Sequence, residues 1–345
     1  MKLTPGPRSA RGALLRGAHG ESPLPQAVRV LSIDGGGVRG LVPAIVLAEI
    51  EARTGKPLVE LFDIVAGAST GSVLALGLAV PGADGGAPRW RASDGVEIYK
   101  ARLSEVFGRS PWQAVAGVGS LLHEKYDEGP LEALLEHYFG EARLSEALTN
   151  VIVPAYDLVS GDVLLFDTDR AKRDSALDVP MRLVVRGATA APTYFEPERI
   201  GPPVVVDERL VVDGGIFANN PAVCGFMQAQ QRYPGCDVVM VSLGTGSATR
   251  SLRLEEVKSW GLAHWARPLL NIVLSSASQA TDHHLRSLLG EQRYFRFDPE
   301  LDIHGCSRRL DDASEANIAA LERSASALVR AASADLDRAC ELLER

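Results

Sequence analysis

The stretch RVLSIDGGGVRGL, Arg29 to Leu41, joins an apolar run to a glycine-rich loop and then to a helical pattern. Val28 to Ile33 has the composition of a buried strand, and Gly35, Gly36 and Gly37 free the backbone to turn sharply and present its N–H groups. Leu41 to Glu51 has helical spacing, so a helix N-terminus adds positive potential at the same place. A loop built this way awaits an anion. The spacing of Gly35, Gly37 and Gly40 matches a dinucleotide-binding fingerprint, but the same N–H groups also suit the negative oxygen of an ester under attack.

Downstream, LFDIVAGASTGS, Leu61 to Ser72, contains Gly67-Ala68-Ser69-Thr70-Gly71. This G-x-S-x-G pentapeptide follows an apolar run and precedes a helical pattern from Ser72 to Leu78, the strand-turn-helix setting of a nucleophile elbow. A plain βα turn with Ser69 as the helix N-cap fits the same letters. The dinucleotide reading weakens here, because that fold wants an acid at the end of the second strand and Asp63 stands at its start. No P-loop is present either, since Gly55-Lys56 lacks the upstream glycine.

A serine nucleophile needs a proton acceptor. None of the seven histidines (His19, His123, His137, His264, His283, His284 and His304) stands at a strand end within a Gly-rich turn. Asp213 does: in LVVDGGIFANNP, Leu210 to Pro221, it ends an apolar run and is followed by Gly214 and Gly215. Partial burial would raise its pKa and make it a better base. Alone, an Asp-Gly pair more often forms an Asx turn.

The remaining chain sets the frame. Its 345 residues, 46% of them hydrophobic, can bury a large core. A formal charge of −8 argues against a nucleic-acid partner. Cys224, Cys236, Cys306 and Cys340 form no close pair, which fits a reducing cytoplasm without a disulfide framework. Short apolar runs at Val28–Ile33, Asp63–Ala66, Val151–Ala155, Val163–Phe166 and Val238–Leu243 alternate with helical patterns, the signature of a mostly parallel sheet with helices on both faces. Val204–Val206 and Leu210–Val212 are expected to form a hairpin, with helices over Gly95–Val106 and Ala313–Leu343 and a surface loop over Pro81–Ser93. Residues 1–26 read as a flexible tail and 27–345 as one domain. The apolar stretches Trp112–Leu122 and Trp260–Leu274 suit either an acyl channel and membrane contact or ordinary core packing, of which packing is favoured.

DGGGVRG at Asp34 to Gly40, GASTG at Gly67 to Gly71 and DGG at Asp213 to Gly215, in that order, together resemble the patatin-like phospholipases. The resemblance extends to ATAAPTYF at Ala188, NNPA at Asn219 and VSLGTG at Val241. It implies a three-layer α/β/α fold of the lysophospholipase and acyltransferase type. It also implies a Ser69–Asp213 dyad without histidine, an oxyanion hole from Gly35, Gly36, Gly37 and Arg39, and a phospholipid or other acyl-lipid substrate. Gly215 stands where plant patatins more often have alanine. No cofactor or metal is expected, calcium included. Peripheral membrane contact follows from such a substrate, and the resemblance leaves room for a cyclic-dinucleotide activator, for which no binding motif is readable. An acyltransferase using the same dyad and a nucleotide-binding module using the glycine loop are the competing readings. Arg39 fits either the oxyanion or a lipid phosphate.

Overall fold

The computed structural model describes residues 27–107, 126–246, 257–258 and 261–345. The expected tail 1–26, the stretch 112–122 and Trp260 lie outside the described residues. The strands are β1 (Ala27–Ile33), β2 (Ile64–Gly67), β3 (Asn150–Asp157), β4 (Asp162–Asp167), β5 (Glu198–Ile200), β6 (Arg209–Asp213), β7 (Asp237–Leu243) and β8 (Tyr294–Phe297). They form one sheet in the order β5-β6-β3-β2-β1-β7-β8, with β4 attached to β3. The neighbours β3-β2-β1-β7-β8 pair in parallel, whereas β4, β5 and β6 pair antiparallel.

Alternation along the central strands sorts side chains to two faces. Leu31, Ile33, Val65, Val239 and Val241 point into the larger core. It is covered by α1 (Leu41–Thr54), α2 (Thr70–Ala79), α3 (Ala92–Ala101), α4 (Leu103–Val106), α5 (Gly129–Phe139) and α6 (Met181–Ala188). Val28, Val30, Ile64, Ala66, Val238 and Met240 point the other way, onto α8 (Ala222–Arg232) and the C-terminal part of α9 (Leu262–Leu289). A short α7 (Gly215–Ala218) follows β6, and α10 (Glu315–Ala331) and α11 (Ser333–Leu343) close the larger face. The layers are therefore helix, sheet, helix. Both faces of the parallel strands are buried, which is why they read as continuous apolar runs.

Several expectations need correction. Val204–Val206 is not a strand: β6 pairs instead with Glu198–Ile200, an edge strand in which Arg199 faces water and Glu198 lies against Arg186. The helical pattern over Gly95–Val106 breaks at Arg102, and that over Ala313–Leu343 breaks at Ala332. β8 and most of α9 were not anticipated. Within Trp260–Leu274 the described side chains divide, with Trp265 and Leu274 half-buried and Leu269, Ile272 and Val273 exposed against the packing preference. No helix among the described residues is long and apolar enough to cross a membrane.

One feature of the sheet positions the site. β2 pairs with the first half of β3, with Ala66 opposite Ile152, while antiparallel β6 pairs with the second half, with Asp213 opposite Ala155. Since β4 occupies the opposite edge of β3 at both Ile152 and Ala155, β2 and β6 share one edge and run toward each other. Pro154, which lacks an N–H to donate, falls in the gap between them. Gly214 packs there, and a Cβ on it would overlap the Pro154 carbonyl. Its φ of −70° is ordinary, so space alone demands glycine. Gly214→Ala should therefore cost about 1–3 kcal/mol through overpacking; an unchanged urea midpoint would show that the backbone yields freely.

Candidate active site

The head-to-head arrangement of β2 and β6 brings Ser69 and Asp213 together from distant parts of the chain. Ser69 and Asp213 line the same cavity, and Ser69 lies near enough to stabilise the Asp213 carboxylate. Ser69 itself has φ 50° and ψ −125°, a backbone conformation that L-residues avoid. It stands at the N-cap of α2 but its side chain makes no capping bond, so the N-cap reading fails and the hydroxyl is turned toward the cavity instead. The elbow is too tight for other residues: a Cβ on Gly67 would overlap the Gly71 carbonyl, and one on Gly71 would overlap the Ile33 carbonyl.

Asp213 is 5% exposed and accepts the Gly215 N–H at 2.7 Å. Burial pushes its carboxyl up to about 6, against the opposing pull of the nearby Ser69 and of the Gly215 N–H. Its own N–H donates to the Ala190 carbonyl, within the segment ATAAPTYF.

The glycine loop passes beside Ser69 and is pinned from several directions. The Gly35 N–H donates to the Asn219 carbonyl at 2.9 Å, and Thr245 Oγ1 donates to the Gly35 carbonyl at 2.6 Å. The Val38 N–H donates to the Leu310 carbonyl and the Arg39 N–H to the Gly36 carbonyl. Among the described residues, no intramolecular acceptor is recorded for the Gly36 and Gly37 N–H groups, and both glycines line the cavity. Gly37 has φ 57°, the left-handed region that glycine enters without penalty. The space over Gly35 is closed by the Asn219 Oδ1 and by Ser69 Cβ, so a side chain there would collide with the site.

Arg39 lies buried in the cavity wall, with Nη2 donating to the Arg308 carbonyl and Nε without a partner. Burial draws its guanidinium below the usual value. Asp63, the acid weighed for ribose binding, lies at the opposite end of β2 and is engaged by Arg29 at 2.8 and 3.0 Å.

From Ser69 and Asp213 a cavity of about 560 Å³ leads between α2, α3, α4 and α5. Val73, Ile98, Leu103, Val106, Leu134 and Leu135 make its wall apolar. Among the described residues no histidine lines it, and no cluster of His, Cys, Asp or Glu could hold a metal ion. Thr245 and Asn219 belong to segments already conspicuous in the sequence. Leu310, Arg296 and Asp298 carried no local signal.

The model of the patatin-like phospholipase family matches residues 31–223. Patatin-like protein 4 of Arabidopsis thaliana is 29% identical over 306 residues, spanning 79% of this chain and 76% of that protein. Patatin-like protein 1 of Oryza sativa subsp. indica is 30% identical over 334 residues, spanning 86% of this chain and 80% of that protein. The crystal structure of VipD from Legionella pneumophila aligns with a TM-score of 0.36 at 14% identity, covering 88% of this chain and 67% of that chain.

Proposed function

Because the chain belongs to the patatin-like phospholipase family, a family of lipid acyl hydrolases, we propose that it cleaves membrane-lipid esters as a phospholipase A or lysophospholipase. Ser69 is the nucleophile and Asp213 the general base. The observation that carries this reading is the juxtaposition of Ser69 and buried Asp213 in the wall of one apolar cavity, beside two uncommitted backbone amides.

In the first step Ser69 Oγ attacks the ester carbonyl while its proton passes to Asp213. The developing oxyanion takes the Gly36 and Gly37 N–H groups. Gly35, although in the same motif, is already committed to Asn219, and Arg39 can contribute only through its guanidinium because its N–H is held by Gly36. Each such donor is worth roughly 10²–10³ in rate. Collapse of the intermediate expels the alcohol, which takes the proton from Asp213, and leaves an acyl group on Ser69. Water then attacks that ester, gives its proton to Asp213, and the second collapse returns it to Ser69 Oγ with release of the fatty acid.

The apolar cavity holds the acyl chain. Burial of a methylene is worth about 0.8 kcal/mol, so kcat/KM for a homologous ester series should rise roughly fourfold per methylene until the channel is filled. A flat series would remove the cavity from substrate binding. The exposed Leu269, Ile272 and Val273 on α9, with Ile272 also lining the cavity, support contact with a lipid surface. Two cores share one sheet, which supports reading 27–345 as one catalytic unit, and all four cysteines are free thiols, which fits a cytoplasmic location. A fluorophosphonate probe tests the central claim: it should label Ser69, and wild-type protein that stays unlabelled would exclude the dyad.

A further inference from the structure

Asp34, the residue just before the glycine loop, is tied to a part of the chain beyond the segment matched by the family model. Its Oδ1 accepts from Arg296 Nη1 at 2.9 Å and its Oδ2 from Nη2 at 2.6 Å. Ser278 Oγ of α9 donates to the same Oδ2 at 3.0 Å. Arg296 also donates to Ser242 Oγ at 2.9 Å and Asp298 Oδ2 at 3.2 Å, and Asp298 Oδ1 accepts the Gly246 N–H at 2.8 Å. The ends of β1, β7 and β8 and one turn of α9 therefore meet on a single guanidinium, 6% exposed.

Resting on the dyad reading above, we propose that Arg296 is a positioning residue that aims the Gly36 and Gly37 amides by clamping Asp34. A run of glycines has no side chains to pack, so its direction is set by whatever holds its ends. Downstream the loop is held at Val38 by Leu310; upstream the planar fork of Arg296 fixes the Asp34 carboxylate at two points and thereby the angle at which the loop leaves β1. Stability is a poor reason for this arrangement, because desolvating an ion pair offsets most of its attraction. Burial pushes the Asp34 carboxyl up, and the Arg296 guanidinium pulls it back down.

The test compares Arg296→Gln, Arg296→Lys, Asp34→Asn and the double variant Asp34→Asn/Arg296→Gln, with kcat expressed per Ser69 labelled to completion by the fluorophosphonate. Arg296→Gln and Asp34→Asn should each lose roughly 10–100-fold in kcat with KM changed less than about twofold, and Arg296→Lys less, since it keeps the charge but not the fork. The double variant should be no worse than the poorer single one, because the two residues act as a unit. A merely structural role would lower the number of labelled sites and leave kcat per site intact. That result, or losses that multiply in the double variant, overturns the proposal. Should Arg296→Gln fail to fold, Arg296→Lys and Asp34→Asn decide the matter alone. Unlabelled wild type is a separate outcome that removes the dyad itself.

Discussion

Ser69→Ala is expected to lower ester hydrolysis by about 10⁴–10⁶-fold and to abolish fluorophosphonate labelling, the loss seen when a nucleophile acting as one unit with its base is removed. The nearby Ser72 cannot take over, since it is buried and its hydroxyl donates to the Ser69 carbonyl at 2.6 Å. The strained backbone gives the same position a second signature. At φ 50° an alanine meets the same clash as serine, whereas glycine does not, so Ser69→Gly should be more stable than Ser69→Ala by about 1–2 kcal/mol while equally inactive. Thermal melting of the two inactive variants isolates that strain. Equal melting temperatures would show that the elbow stores none, and substantial hydrolysis by either variant would place the nucleophile elsewhere.

How much of this was written locally in the chain differs from element to element. The strand before the glycine loop, the elbow and the Asp213 strand were legible because each is a continuous apolar run ending in small residues. Their meeting was not legible from spacing alone. It depends on β2 and β6 sharing one edge of β3, a fact of pairing that no local pattern records. The edge strand Glu198–Ile200 was missed because an edge need not be apolar on both faces. The decoy Val204–Val206 looked like a strand because Val204 and Val205 pack against the core from a turn.

β8 shows the limit most clearly. Tyr294–Phe297 places an arginine in a buried strand, and in isolation that argues for a loop; only Asp34, far away in sequence, makes the position tolerable. The helix breaks at Arg102 and Ala332 likewise lack glycine or proline, so composition carries no sign of them. Within the glycine loop itself, four candidate donors were indistinguishable by sequence. Hydrogen bonding separates them, with the Gly35 N–H committed to Asn219 and the Arg39 N–H to Gly36, so that Gly36 and Gly37 are left facing the cavity.

Asp213→Asn should make the protein less active and more stable at once. Activity should fall by roughly 10²–10⁴-fold, the usual contribution of a general base. In wild type, kcat/KM should decline as pH falls through about 6, where burial places the Asp213 carboxyl, and the variant should lack that limb. The stability change has the opposite sign. A carboxyl whose native pKa lies above its unfolded value binds its proton more tightly when folded. Its contribution is fully present below the unfolded range near 4 and is lost as pH rises through 6. Above that point the ionised, buried Asp213 costs on the order of 2–3 kcal/mol, which asparagine escapes while still accepting the Gly215 N–H. Asp213→Asn should thus melt several degrees above wild type at pH 8, with the gap closing toward pH 4. A variant that melts lower than wild type at pH 8 would mean that Asp213 holds the fold together rather than being held in a state poised for proton transfer.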